Sequence, residues 1–139
     1  MTAHTSVTRT WATLRIGGRH LDPDSVTTRL GITPSYSHKA GDRHGEKGRM
    51  IWKQGLWDLT SEGEVESTDL ELHIEWLLDR IEPMYKQLDE ITQQPNVKAD
   101  IFCFWETESV NAGIELTPNL MGRIAALHLT LGLDIYFAF

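Results

Sequence analysis

Apolar and polar residues alternate from Ser6 to Gly17. Thr10, Ala12, Leu14 and Ile16 fall on one side, Trp11, Thr13 and Arg15 on the other. A period of two predicts a strand, and Gly17-Gly18 predicts its end. Asp22-Pro23 then has the grammar of a helix start, with Asp22 as N-cap and Pro23 in the first helical position. Val26 and Leu30 lie one turn apart on that helix, and Gly31 predicts its C-terminal cap. A strand resumes near Met50 to Trp52. Gly55 marks a bulge or turn, and Trp57 and Leu59 alternate with Asp58 beyond it. Thr68-Asp69-Leu70-Glu71 reads as a capping box. It opens the main helix, whose apolar positions Leu70, Ile74, Leu77, Leu78 and Ile81 recur at helical spacing. Pro83 ends or kinks that helix, and Met84, Leu88 and Ile91 carry a second helical segment to about Gln93.

Asn96 to Thr107 carries the strongest strand pattern. Val97, Ala99, Ile101, Cys103 and Trp105 form one face; Phe102 and Phe104 lie on the other with Lys98, Asp100 and Glu106. Glu108-Ser109 predicts a tight turn, with Val110, Ala112, Ile114 and Leu116 returning as a paired strand. Thr117-Pro118 opens the last helix, which Gly132 is expected to stop after Met121, Ile124, Ala125, Leu127 and Leu131. Leu133, Ile135, Phe137 and Phe139 form the closing strand. The order is β-α-β, two helical segments, then β-β-α-β. It predicts an α+β two-layer sandwich, a mostly antiparallel sheet with helices mainly on one face. The nearest simple template is a ferredoxin-like β-α-β-β-α-β unit.

Composition narrows this only a little. The 139 residues, 40% of them apolar, suit one domain spanning 1–139 that buries its own core. Cys103 is the single cysteine, so no intrachain disulfide forms. Met1 to Thr5 lacks a charged start followed by an apolar run, and no apolar run approaches a membrane span. A cytoplasmic protein is expected. Charge changes the picture more. The net charge is −7, which disfavours non-specific nucleic-acid binding. Glu62 to Glu82 holds eight carboxylates and one arginine, so this segment alone matches the whole imbalance.

Two stretches carry candidate chemistry. On the main helix Glu71, Glu75, Asp79 and Glu82 line one side, where like charges at i,i+4 cost a few tenths of a kcal/mol per pair. The plain reading of such a run is a solvated face. The sharper one is a docking surface for a basic macromolecule through Glu71, Glu75 and Asp79, with Trp76 as the anchor. The other stretch is the long polar loop from Thr33 to Arg49, with no clean period. Its Gly41, Gly45 and Gly48 stand among Lys39, Arg43, Lys47 and Arg49. Tyr36, His38, Lys39, Asp42, Arg43 and His44 are its candidate contacts for phosphate, a small ligand or a metal. The spacing matches no phosphate loop and no metal geometry, and the neighbouring cations oppose a metal. No cofactor, metal or catalytic residue is therefore assigned. Cys103 sits mid-strand among apolar neighbours, where a thiol is inert. Neither G-x-S-x-G nor H-E-x-x-H occurs. A third surface arises if helices cover one sheet face only. Trp11, Phe102, Phe104 and Tyr136 then form an exposed patch, read as a homodimer contact before a base-stacking platform.

Leu30-Gly31-Ile32-Thr33-Pro34, Lys39-Ala40-Gly41-Asp42, Gly55-Leu56-Trp57-Asp58-Leu59, the Leu-rich main helix and the late Gly132-Leu133-Asp134-Ile135-Tyr136 together resemble the bacterial family Domain of Unknown Function 4279 over nearly the whole chain. The resemblance implies a small bacterial protein with no assigned activity and no catalytic residues. Such members sometimes sit among toxin-immunity genes. The function expected is thus a non-catalytic binding protein, immunity-like or regulatory, with ligand binding at residues 33–49 as the alternative.

Overall fold

The structure is a computed structural model that describes residues 6–138. The readings made on Met1 to Thr5 and on Phe139 lie outside them. In chain order the strands are β1 (Val7–Gly18), β2 (Tyr36–His38), β3 (Arg43–His44), β4 (Met50–Ile51), β5 (Gly55–Thr60), β6 (Val97–Thr107) and β7 (Thr130–Phe137). The helices are α1 (Pro23–Leu30), α2 (Leu70–Ile81), α3 (Tyr85–Thr92) and α4 (Pro118–Ala126).

Five strands form the main sheet in the order β2-β5-β1-β6-β7, while β3 and β4 make a separate small hairpin. β1 pairs antiparallel with both β5 and β6, and β2 antiparallel with β5. β7 joins β6 in parallel, reached through α4. β5 therefore inserts between β1 and β2, and β1 between β5 and β6. These two interleaved units are the ferredoxin-like β-α-β-β-α-β plan, with α4 and β7 added at one edge.

Alternation decides which sheet face is covered. Ala12, Leu14 and Ile16 of β1, Trp57 and Leu59 of β5, and Ile101, Cys103 and Trp105 of β6 are all buried on one face. Ile74, Leu77, Leu78 and Ile81 of α2, Leu88 and Ile91 of α3, and Leu120 and Ile124 of α4 close over that face. Val26 and Leu30 of α1 complete the layer. Trp57 is fully buried, and its indole Nε1 donates to Thr27 Oγ1 at 3.0 Å. The large ring thus enters the core without leaving its N–H unpaired.

The helix starts follow the expected grammar at Asp22-Pro23 and Thr117-Pro118, where Asp24 N donates to the Asp22 carboxylate and Leu120 N to Thr117 Oγ1. Gly31 caps α1 in the left-handed conformation. Elsewhere the structure departs from expectation. The N-cap of α2 is Asp69, not Thr68: its carboxylate accepts from Glu71 N at 3.0 Å. Glu71 then reaches forward to Thr117 rather than back to the cap. Residues 110–116 form no strand. Val110 and Ala112 are exposed, whereas Ile114 and Leu116 pack on the core without ladder pairing. Their alternation reflects packing from a loop, and β7 takes the place beside β6.

The last helix ends at Ala126, well before Gly132. His128, at φ 56°, lies in the reversal that follows. Gly132 sits inside β7, where an added Cβ would come within 3.1 Å of the Phe102 ring. It makes room for an aromatic neighbour rather than stopping a helix. The stretch from Tyr36 to Ile51 is also more ordered than its polarity suggests, supplying the edge strand β2 and the β3–β4 hairpin.

Candidate functional site

The second face of the main sheet has no helix over it among the described residues. Cross-strand register sorts its side chains into rows. Trp11 of β1 lies opposite Phe104 of β6, and their rings stack with centroids 4.2 Å apart and planes 10° from parallel. Phe104 in turn stacks on Tyr136 of β7 at 5.0 Å. This aromatic ladder crosses three strands. Arg9 bridges its end: it binds Glu106 through Nε and Nη2 at 3.2 and 2.9 Å, with its guanidinium 5.2 Å from the Phe104 centroid. The rings of Trp11 and Phe104 use their faces on each other, so the ladder turns edges outward. A base-stacking platform needs free ring faces.

Two rows further along, past Thr13 and Phe102, Arg15 of β1 lies between Asp58 of β5 and Asp100 of β6. Its Nε and Nη2 bind both Asp100 oxygens at 2.8 and 2.7 Å, and its guanidinium covers Phe102 at 4.1 Å. Asp58 is left on the other side. Its Oδ1 is buried and accepts no hydrogen bond among the described residues. Burial pushes this carboxyl up to about 6; Arg15 pulls it down and Asp100 pushes it up, both less strongly. A buried acceptor without a donor is costly.

The loop candidates assemble beside β2, and they bond to one another. Trp52 is sandwiched between His38 and His44, with centroids 4.0 and 3.7 Å away and all three rings nearly parallel. Tyr36 Oη and His38 Nδ1 are 2.8 Å apart. Burial holds the His38 imidazole below its ordinary value, against the opposing charge of Asp42. Asp42 accepts from Lys39 N at 2.8 Å, Lys39 Nζ lies 2.9 Å from Asp24, and Arg43 donates to the Gly48 carbonyl. Among the described residues, no group of three or more His, Cys, Asp or Glu could hold a metal ion.

The acidic stripe of α2 also has partners within the chain. Glu71 accepts from Thr117 N at 2.6 Å, at the start of α4. Arg123 of α4 donates to Asp79 at 2.8 Å and to both oxygens of Glu82 at 2.6 and 3.1 Å. Trp76 is half-buried, with the Arg80 guanidinium 3.8 Å from its ring. Glu75 alone of the three candidate carboxylates has no such bond among the described residues.

The family model described as Domain of unknown function (DUF4279) matches residues 6–138. The chain belongs to this family. No curated protein and no solved structure matches it.

Two nucleophile candidates in this DUF4279 chain are closed to substrate. Ser61 and His73 form a pair 2.7 Å apart. Ser67 O accepts from His73 Nε2 at 2.8 Å, which leaves Nδ1 to accept from the Ser61 hydroxyl. Ser61 Oγ also accepts from Ala12 N. Both side chains are buried and satisfied, so the pair ties the 61–69 loop to β1. Burial pushes the Cys103 thiol up to about 12, which keeps it a thiol. Sequence reasoning missed Asp58 and Ser61. Asp58 looked like the polar half of an alternating strand, and nothing local signals that β1 lays Arg15 beside it.

Proposed function

We propose that this DUF4279 protein is a non-catalytic binding protein that uses the open face of its sheet, and that the occupant is a second copy of the chain. The observation that carries the reading is the Trp11–Phe104–Tyr136 ladder on a sheet face that no helix covers among the described residues. Contiguous exposed apolar surface rimmed by polar groups marks an interface. Charge favours a like partner at this face. Arg9, Arg15 and Lys98 stand there against Asp58, Asp100, Glu106 and Asp134, so it is nearly neutral. The acidic surplus lies in the segment 62–82, half of it in the 61–69 loop and half on α2 and the turn after it, and two copies meeting sheet to sheet keep the α2 half apart. The Arg9–Glu106 and Arg15–Asp100 pairs let a copy turned through half a rotation set arginine against carboxylate.

The acidic helix remains a surface for a basic macromolecule only through Glu75 and the exposed carboxylates of the 61–69 loop. Glu71 and Asp79 already bond to the α4 region, which is why the sheet face is preferred. Sedimentation velocity tests this. The wild type is expected to run as a dimer in the micromolar range, Phe104→Glu as a monomer with unchanged circular dichroism, and Glu75→Lys as a dimer. A monomeric wild type, or a dimeric Phe104→Glu, overturns the reading.

A further inference from the structure

At the end of β1 the open face changes character. Gly17 stands in the row between Leu56 and Lys98, and with no side chain there the face drops into a groove of about 710 Å³. That volume suits a small metabolite, whose sites span roughly 300–1,000 Å³. An added Cβ at Gly17 would make only ordinary contacts, at 3.6 Å from Gly55 O and 3.7 Å from Leu56. The glycine is therefore not demanded by packing.

Three cations stand round the groove: Arg19 beyond β1, Lys53 before β5 and Lys98 on β6. All are exposed, and none forms an ion pair or side-chain hydrogen bond among the described residues. Most other basic groups of the fold are engaged. Arg9, Arg15, Lys39 and Arg123 hold carboxylates, and Arg80 holds Trp76. Asp58 lines the same groove, and Arg15 beside it is turned to Asp100, which leaves one Asp58 oxygen without a donor among the described residues; that Oδ1 is closed to solvent where it stands, and a turn of the carboxyl group presents it to a ligand. A bare anion drawn in by the cations would meet this carboxylate. An anion that also carries a donor would satisfy it.

We propose that the groove binds a small phosphate or carboxylate bearing an adjacent O–H or N–H: the anionic group lies among Arg19, Lys53 and Lys98, and the donor bonds to the Asp58 carboxylate. Charge attracts the ligand, and Asp58 selects within the class of small anions. A hydroxyalkyl phosphate and an amino acid share this chemistry.

Isothermal titration of the full chain with three probes tests the site. Glycerol 3-phosphate and L-serine each carry an anion and a donor, and sulfate carries no donor at neutral pH. Glycerol 3-phosphate, L-serine or both are expected to bind at least about tenfold more tightly than sulfate, a gap of about 1.4 kcal/mol. Which of the two binds identifies the source. The exposed double variant Lys53→Glu/Lys98→Glu is expected to lose binding while keeping its melting temperature. Asp58→Ala is expected to erase the preference by weakening the donor-bearing probe and strengthening sulfate, a crossing that misfolding does not produce. The proposal is overturned if no probe binds, if sulfate binds as well as the others, or if the lysine variant binds like wild type. The groove lies at the other end of the face from the ladder. The two nonetheless share Arg15, Asp58, Lys98 and Asp100, so the titrations are repeated on Phe104→Glu: its ligand binding tests the groove free of any dimer, and its sedimentation tests the ladder.

Discussion

Trp57 and Asp58 are neighbours in β5 that face opposite sides of the sheet, and their energetics are opposite too. Trp57 fills the core and has its N–H satisfied. Trp57→Ala is expected to cost about 3–5 kcal/mol, the usual loss for a large buried aromatic, read from urea unfolding. Asp58 is destabilised where it sits. Its carboxyl titrates at about 6 in the folded chain against 3.8 ordinarily. Between those values the folded state holds more protons than the unfolded one, so stability falls as pH rises from about 4 to about 6 and stays lowered above. Asp58→Asn removes that dependence. It is expected to melt above wild type near pH 7.5 and to converge with it near pH 4, by scanning calorimetry. The core role of Trp57 was readable from alternation alone. The strain on Asp58 was not, because it comes first from burial and then from Asp100, both set by parts of the chain distant in sequence. Gly132 was misread for the same reason: its meaning is the Phe102 ring on the next strand.

At the scale of elements, α2 and α4 explain each other. Four like charges on one side of α2 are unfavourable in an isolated helix. In the fold, the α4 region answers three of them with Thr117 N and Arg123. Three of the four acids thus hold the α4 region within the chain. Arg123, whose neighbours Glu82 and Asp79 raise its pKa further above its ordinary value, is the pin. Arg123→Ala is expected to cost about 1–2 kcal/mol, because both carboxylates keep some solvent. It should also speed amide hydrogen exchange in α4 and β7 more than in β1 or β5. Unchanged exchange in α4 would show that apolar packing alone holds it. Helix positions were legible in the sequence because cap and period are local signals. The pairing of α2 with α4 was not, and a stripe destined for an internal partner looks the same in sequence as one facing solvent.

At the scale of the molecule, the two-layer plan was legible because two strands alternate cleanly and the helices carry apolar stripes. The added β7 was not foreseen as a parallel neighbour, since Val110 to Leu116 imitates a returning strand. On the proposed reading, the open face is where the molecule meets a second copy of itself. Two copies joined by their ladders would form a four-layer assembly, helices outside and sheets inside. Trp11→Ala alone is expected to weaken the dimer without unfolding the monomer, because Trp11 is only half-buried. Analytical ultracentrifugation with a parallel thermal melt separates the two effects.

The position of β1 also governs how the chain acquires this shape. It is the sheet's centre, yet it leaves the ribosome before every strand it needs. Val7 waits for Thr107, and Gly18 waits for Val97. Until β6 is made, β1 can pair only along the edge that β5 fills. Such distant pairings carry a large loop-closure cost and slow the search for the native state. Refolding is therefore expected to be limited by the meeting of β1 with β6. Until then the nascent chain carries a Trp- and Ile-bearing strand open along its β6 edge, which makes that strand the segment where a holding chaperone would act.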